Sequence, residues 1–185
     1  MDAVVIIIIV AVIAVLIVVA LLARQRKQRE RMQERFGPEY ERSIEQAGDR
    51  RSAERDLKER TERHESLEIR PLDPGAREQY AQEWRMAQEQ FVDEPKVAVK
   101  QADTLVARVM QERGYPVGDF EQQVRDVSVE HSNAVGEYRA AHEISTLNDQ
   151  GGASTEQLRE AMVHYRTLFG ELLQGGADDR ETTNP

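Results

Sequence analysis

The four histidines, His64, His131, His142 and His164, are the side chains most able to move protons or bind metal near neutral pH. None falls in an H-E-x-x-H pair, and His142 is followed by Glu143-Ile144-Ser145-Thr146. His142 lies four residues after Tyr138 on the expected inner face of one helix, and His164 lies in the last helix. The two could approach, but a pair without further ligands reads as one core and one surface histidine rather than a metal site. Carboxylates are plentiful, yet they are spread over polar helix faces, whereas acid/base catalysis needs two in one cleft. Gly151-Gly152 lacks the lysine of a phosphate loop, no G-x-G-x-x-G or G-x-S-x-G occurs, and there is no cysteine for a disulfide, a nucleophile or a thiolate ligand. The sequence thus predicts no catalytic residue, no metal and no cofactor.

Two denser patches remain, residues 113–120 and 138–144. In a functional reading Arg113, Tyr115, Tyr138, Arg139 and His142 form a surface for a partner or ligand, since Tyr and Arg are common interface anchors. In a structural reading Gly114 stops a helix, Tyr115 covers the end of the core, Pro116 fixes the turn, and Arg139 pairs with Glu143 four residues on. The structural reading explains more. Trp84, the only tryptophan, reads first as core filler.

These residues must be positioned by helices. Tyr80, Trp84, Ala87 and Phe91 recur at four, three and four. Pro95 suits the first turn of a helix whose stripe is Val97, Ala98, Ala102, Leu105, Val106 and Val109, ending at Gly114-Tyr115-Pro116. Asp119 and Gln122 resemble a capped start for a short helix carrying Phe120, Val124 and Val127. Ala134, Val135, Tyr138, Ala141, His142 and Ile144 mark another helix. Ser154 and Gln157 cap the last, with Leu158, Ala161, Met162, Tyr165, Phe169 and Leu172 as its stripe. Residues 70–175 are therefore expected to be a helical bundle, bounded by R-P-L-D-P-G-A at 70–76. Val127-Ser128-Val129 is too short for a sheet and reads as a connection.

Ahead of that bundle, residues 37–69 read as a polar helical stalk that starts from a hinge at Gly37-Pro38. Glu54 with Lys58, Asp56 with Arg60 and Glu59 with Arg63 are spaced for intrahelical pairing, and apolar positions are too sparse for a coiled coil. Residues 3–23 form an unbroken apolar run of about 31 Å as a helix, the thickness of a bilayer's hydrocarbon core. The basic stretch at 24–36 carries Arg24, Arg26, Lys27, Arg29, Arg31 and Arg35 against Glu30 and Glu34. Positive flanks stay inside, so the N-terminus is expected outside and the remainder in the cytoplasm. Arg24, Arg26, Lys27, Arg29 and Arg31 are the expected contacts to anionic lipid headgroups. Nothing ionisable lies in the run, which argues for a simple anchor rather than a channel. The whole chain has 25 basic and 34 acidic residues for a net charge of −9. Such acidity beyond the basic stretch disfavours nucleic acid.

Several of these stretches, namely R-F-G-P-E-Y at Arg35–Tyr40, L-x-I-R-P-L at Leu67–Leu72, R-G-Y-P at Arg113–Pro116, S-V-x-H at Ser128–His131 and Y-R-x-A-H at Tyr138–His142, resemble a family of uncharacterised bacterial single-pass membrane proteins. Members are often labelled membrane or secreted proteins. The resemblance runs through nearly the whole chain and implies no reaction. The label "secreted" is expected to reflect an anchor mistaken for a signal peptide.

The sequence reading is an all-α protein with an N-terminal transmembrane helix, a charged stalk, a small cytoplasmic bundle and a disordered tail at 176–185. It predicts a non-enzymatic scaffold or adaptor that presents the bundle to a protein partner. The alternative is a membrane-bound enzyme or small-ligand sensor with a pocket around Tyr115, Tyr138, His142 and Tyr165. A weaker option places the domain outside the cell, as a part of the envelope.

Overall fold

A computed structural model of the chain describes residues 2–175, with side chains described at 12, 13 and 15–175. The tail at 176–185 lies outside the described residues. Eight helices and no strand occur among the described residues: α1 (Asp2–Phe36), α2 (Pro38–Ala47), α3 (Arg50–Glu65), α4 (Pro74–Gln90), α5 (Pro95–Glu112), α6 (Phe120–Val127), α7 (Val135–Asp149) and α8 (Thr155–Gln174). α8 packs on α5 and α7, α5 on α4, α2 on α3, and α6 bridges α3 to α7.

Local chemistry sets the boundaries. Pro38, Pro74 and Pro95 each open a helix, where a missing N–H costs nothing. Asp49, Asp73 and Asp119 accept hydrogen bonds from the backbone N–H groups of Ser52, Ala76 and Gln122. Ser154 and Gln157 make the reciprocal capping box that their spacing predicts. Gly114, at φ 98°, stops α5, and a Cβ there would stand 2.4 Å from the carbonyl oxygen of Glu68. Only glycine fits this crossing of the 66–73 connection over the end of α5.

The main core unites Tyr80, Trp84 and Ala87 of α4 with Ala102, Leu105, Val106 and Val109 of α5, Tyr138 and Ala141 of α7, and the whole predicted stripe of α8. Trp84 stacks on Phe169, centroid to centroid at 4.7 Å, so it does fill the core. Val97, expected in the α5 stripe, is 43% exposed, and Val99 is buried in the core instead. The stripe had been placed one side too far round at the helix's first turn.

Residues 37–69 do not project as a solvated stalk. Phe36, Tyr40, Leu57 and Val129 form a second, smaller core, with Met32 and Ile44 packed against it. This core ties the end of α1 to α2, α3 and the turn after α6. The expected hinge at Gly37-Pro38 is a packed corner: Gly37 takes φ 44°, Ser132 Oγ donates to the carbonyl oxygen of Arg35 (3.0 Å), and Phe36 and Tyr40 are buried on either side. A charge-rich helix can lie on a domain when its charges meet partners there, which apolar periodicity does not register. Of the three predicted intrahelical pairs, Asp56–Arg60 forms at 2.7 Å. Glu54 instead meets Arg29 and the Tyr40 hydroxyl, and Arg63 reaches Asp126 of α6.

α1 is one continuous helix. Its described apolar side chains from Val12 to Leu22 are all more than half exposed. Among the described residues no helix is long and apolar enough to cross a membrane; the first half of the run at 3–23 lies largely outside the described side chains.

Candidate functional site

The predicted surface residues Arg113, Tyr115, Tyr138, Arg139 and His142 separate into three environments. Arg139 belongs to the junction between α2–α3 and the bundle. Its Nη1 and Nη2 donate to Glu39 Oε2 and Oε1, both at 2.7 Å, where the sequence suggested Glu143. Arg60 Nη1 donates to the same carboxylate at 2.8 Å, and its Nη2 meets Asp56, which also holds Arg125 at 2.6 Å. Glu39 is only 2% exposed. Burial works to raise its pKa, but the two guanidiniums outweigh that and hold the carboxyl below its ordinary value. Beside this triad, Arg63 Nε donates to the fully buried Asp126 at 2.8 Å, which also accepts from Gln122.

The junction carries an open cleft of about 560 Å³, lined by Arg42 and Gln46 of α2, Arg60 of α3, Phe120 and Arg125 of α6, and Arg139, His142 and Glu143 of α7. His142 stacks on Phe120 with centroids 3.7 Å apart and planes 12° from parallel.

Arg113 and Tyr115 lie elsewhere, at the end of α5. Arg113 Nη1 donates to His131 Nε2 at 3.0 Å, and a guanidinium can only donate, so the imidazole accepts there. The Nδ1–H of His131 therefore donates to Glu171 Oε2 at 3.1 Å. Arg113 Nη2 and the Tyr115 hydroxyl both donate to Glu130 Oε2, at 3.3 and 2.8 Å. Burial first, and the Arg113 charge second, push His131 down to about 4, so it is neutral near pH 7. Burial together with Glu130 raises the Tyr115 phenol well above its usual range. Neutral His131, Arg113 and Tyr115 thus form a closed relay of donors and acceptors that pins the end of α8 to that of α5.

Tyr138 and Tyr165 are buried, with rings 6.3 Å apart. Tyr165 donates to Asp103 at 2.6 Å, His142 Nδ1 stands 3.7 Å from the same carboxylate, and Tyr138 donates to Gln123. Two of the four residues of the expected pocket, Tyr165 and His142, therefore meet at the Asp103 carboxylate, with Tyr138 packed in the core beside Tyr165, and Tyr115 is not among them. His164 pairs with Glu137. Among the described residues no three metal-binding groups converge.

Arg24, Arg26, Lys27 and Arg31 are exposed on α1, whereas Arg29 is half-buried against Glu54 at 3.5 Å. α4 and α5 border an apolar groove of about 750 Å³ that shares no lining residue with the cleft at Arg139. Met86, 58% exposed, and Val97 stand in it. The Arg108–Glu83 pair at 2.6 Å and the Lys100–Asp149 pair at 2.8 Å lie along its rim.

Sequence reasoning missed Glu39, Arg60, Asp126, Glu130, His131 and Glu171. The one available signal lay in the motif stretches themselves: R-F-G-P-E-Y meets Y-R-x-A-H through Glu39 and Arg139, and R-G-Y-P meets S-V-x-H through Arg113 and His131. Set beside known protein families, curated proteins and solved structures, the chain matches none of them.

Proposed function

We propose that the chain is a membrane-anchored, non-enzymatic helical adaptor whose cytoplasmic bundle presents the α4–α5 groove to an amphipathic helix of a protein partner. The observation that carries this reading is the groove itself. The exposed Met86 of α4 and Val97 of α5 stand over a floor formed by the buried Ala87 and Leu105, and charged pairs border them. A helix laid there would bury apolar anchors at i, i+3 and i+4 while its polar face meets the rim. The anchor is supported by the 21 apolar residues at 3–23, by the solvent-facing side chains from Val12 to Leu22, and by the basic residues behind them, which favour an N-out, C-in orientation. Anionic lipid at Arg24, Arg26, Lys27 and Arg31 would add about 1 kcal/mol per cation.

The absence of cysteine makes the test direct. A photo-crosslinker placed at Met86 in native membranes should yield one discrete protein adduct, lost on Val97→Glu at an exposed position of the groove with the circular-dichroism spectrum unchanged, while the same group at Arg166, on α8 and away from the groove, yields none. Equal labelling from both positions ends the adaptor reading. For topology, Val92→Cys at a position 83% exposed should react with an impermeant maleimide only after the membrane is opened. Reaction in intact spheroplasts would place the domain outside.

A further inference from the structure

We propose that the cleft between α2–α3 and α6–α7 binds a small phosphomonoester that also carries hydroxyl groups, of the sugar-phosphate class. The cleft is a different surface from the α4–α5 groove. One guanidinium from each of four helices reaches its lining: Arg42, Arg60, Arg125 and Arg139. That is a concentration of positive charge on a chain whose net charge is −9. The acids that pair with these guanidiniums, Glu39 and Asp56, are not among the lining residues, which leaves four arginines against the two lining acids Glu121 and Glu143.

Counting donors shows which remain. Arg139 gives Nη1 and Nη2 to Glu39, and Arg60 gives one nitrogen to Glu39 and another to Asp56. Arg125 gives Nη2 to Asp56. Arg42 forms no ion pair among the described residues and Arg125 keeps its other two nitrogens, whereas Arg60 Nε, although it has no hydrogen-bond partner there, is shut off from the cleft's solvent and does not reach a ligand. Unspent donors thus stand on both walls. A phosphate dianion, with three terminal oxygens, can accept from both at once. Glu39 and Asp56 hold Arg60 in place beforehand, which reduces the ordering cost of binding.

The other half of the specificity comes from acids. Glu121 and Glu143 also line the cleft and would repel a bare polyanion, whereas they accept hydrogen bonds from ligand hydroxyls. A volume of about 560 Å³ suits a small metabolite. If residues 3–23 span the bilayer, thirteen residues of α1 separate Ala23 from Phe36, about 20 Å of helix. That exceeds the headgroup layer, so the phosphate is that of a soluble molecule and not of a lipid. A ligand touching Arg42 and Arg125 together would clamp the anchor-side helices to the bundle.

The test uses the full chain in nanodiscs of neutral lipid, titrated calorimetrically with ribose 5-phosphate, ribose, inorganic phosphate and succinate at equal ionic strength. Ribose 5-phosphate should bind at least tenfold more tightly than each of the others and should raise the melting temperature. Arg42→Ala, at an exposed position without an ion pair, should weaken it at least tenfold with an unchanged circular-dichroism spectrum, Arg42→Lys less, and Arg85→Ala, on the surface of α4 outside both clefts, not at all. Nanodiscs containing phosphatidylglycerol should bind the probe equally well. The proposal fails if phosphate or succinate binds as tightly as the sugar phosphate, if Arg42→Ala leaves binding intact, if anionic lipid competes, or if no probe binds at millimolar concentration. None of these outcomes bears on crosslinking at Met86, so the two readings stand or fall separately.

Discussion

Inside the bundle, Trp84 stacks on Phe169, and Leu158, Leu168 and Leu172 close the space between α8 and its neighbours. At the junction with α1–α3, four buried hydrophobic residues share the contact with a buried carboxylate, the buried Arg60 and the mostly buried Arg139. Apolar burial is non-directional and forgiving of small shifts, whereas an ion triad holds one geometry and fails as a unit. The bundle is built to be stable, and the junction to hold α1 at one angle. On the proposed reading, in which residues 3–23 anchor the chain, a junction of this kind would present the domain in a set orientation.

The largest expected effect follows from removing the centre of the triad. Glu39→Gln leaves Arg139 without a countercharge and should destabilise the junction by about 3–5 kcal/mol. Hydrogen exchange should show α2 and α3 losing protection while α5 and α8 keep theirs. Loss of protection throughout would mean that the two regions form one cooperative unit, which would break the comparison. Replacing Glu39, Arg60 and Arg139 together by Leu, Met and Leu should restore most of the stability, because no buried charge is then orphaned.

Next is Leu168→Ala in the main core, where a fully buried side chain leaves a cavity, at a cost of about 2–4 kcal/mol. Urea denaturation followed by Trp84 fluorescence should report it. Here the bundle should loosen first, the reverse order to Glu39→Gln.

Acid should separate the regions again. His131 is held at about 4 in the fold against an ordinary 6.5, so between those values the unfolded chain binds more protons. Its contribution, about 3 kcal/mol, is complete above pH 6.5 and is lost as pH falls to 4. His64, lowered chiefly by burial, acts with the same sign, while the partly buried Glu171, raised by desolvation, offsets part of both. Arg113 and Glu130 also face His131 but pull in opposite directions. Glu39, lowered from 4.5, gives up its contribution only below that pH. Melting temperature should therefore fall first through the end of α5 and later through the junction, and His131→Gln should flatten only the upper limb.

How much of this was legible in the sequence depends on what holds each part. The α4, α5 and α8 stripes, Pro95 at a helix start and the Ser154 capping box are local signals, and they were readable to within a turn. Glu39 was not, since its partners lie 21 and 100 residues away and nothing in its own neighbourhood marks it as buried. His131 looked like a loop residue because its burial is set by Arg113 and Glu171 from two other helices. Arg113 and Tyr115 stand out in the sequence as a dense patch, yet their partners Glu130 and His131 come from tertiary geometry alone. The groove between α4 and α5 was hidden for a related reason: Val97 was counted into the core stripe.

The smallest expected effect sharpens the point within a single helix. Lys58 and Arg60 stand two residues apart on α3, and each forms a pair four residues away along it, Lys58 with Glu62 and Arg60 with Asp56. Spacing alone makes the two equivalent. Lys58 and Glu62 side chains are 62% and 60% exposed, so water and salt screen their attraction, and Lys58→Ala should change stability by no more than about 0.5 kcal/mol. Arg60 is buried, its other nitrogen lies on Glu39, and Arg60→Ala removes a countercharge from a carboxylate that cannot reach water. Measured side by side in urea at low and high salt, Lys58→Ala should match the parent chain in both. Arg60→Ala should stay destabilised in both, because screening does not reach a buried pair. Equal losses at the two positions would show that α3 is a solvated helix after all.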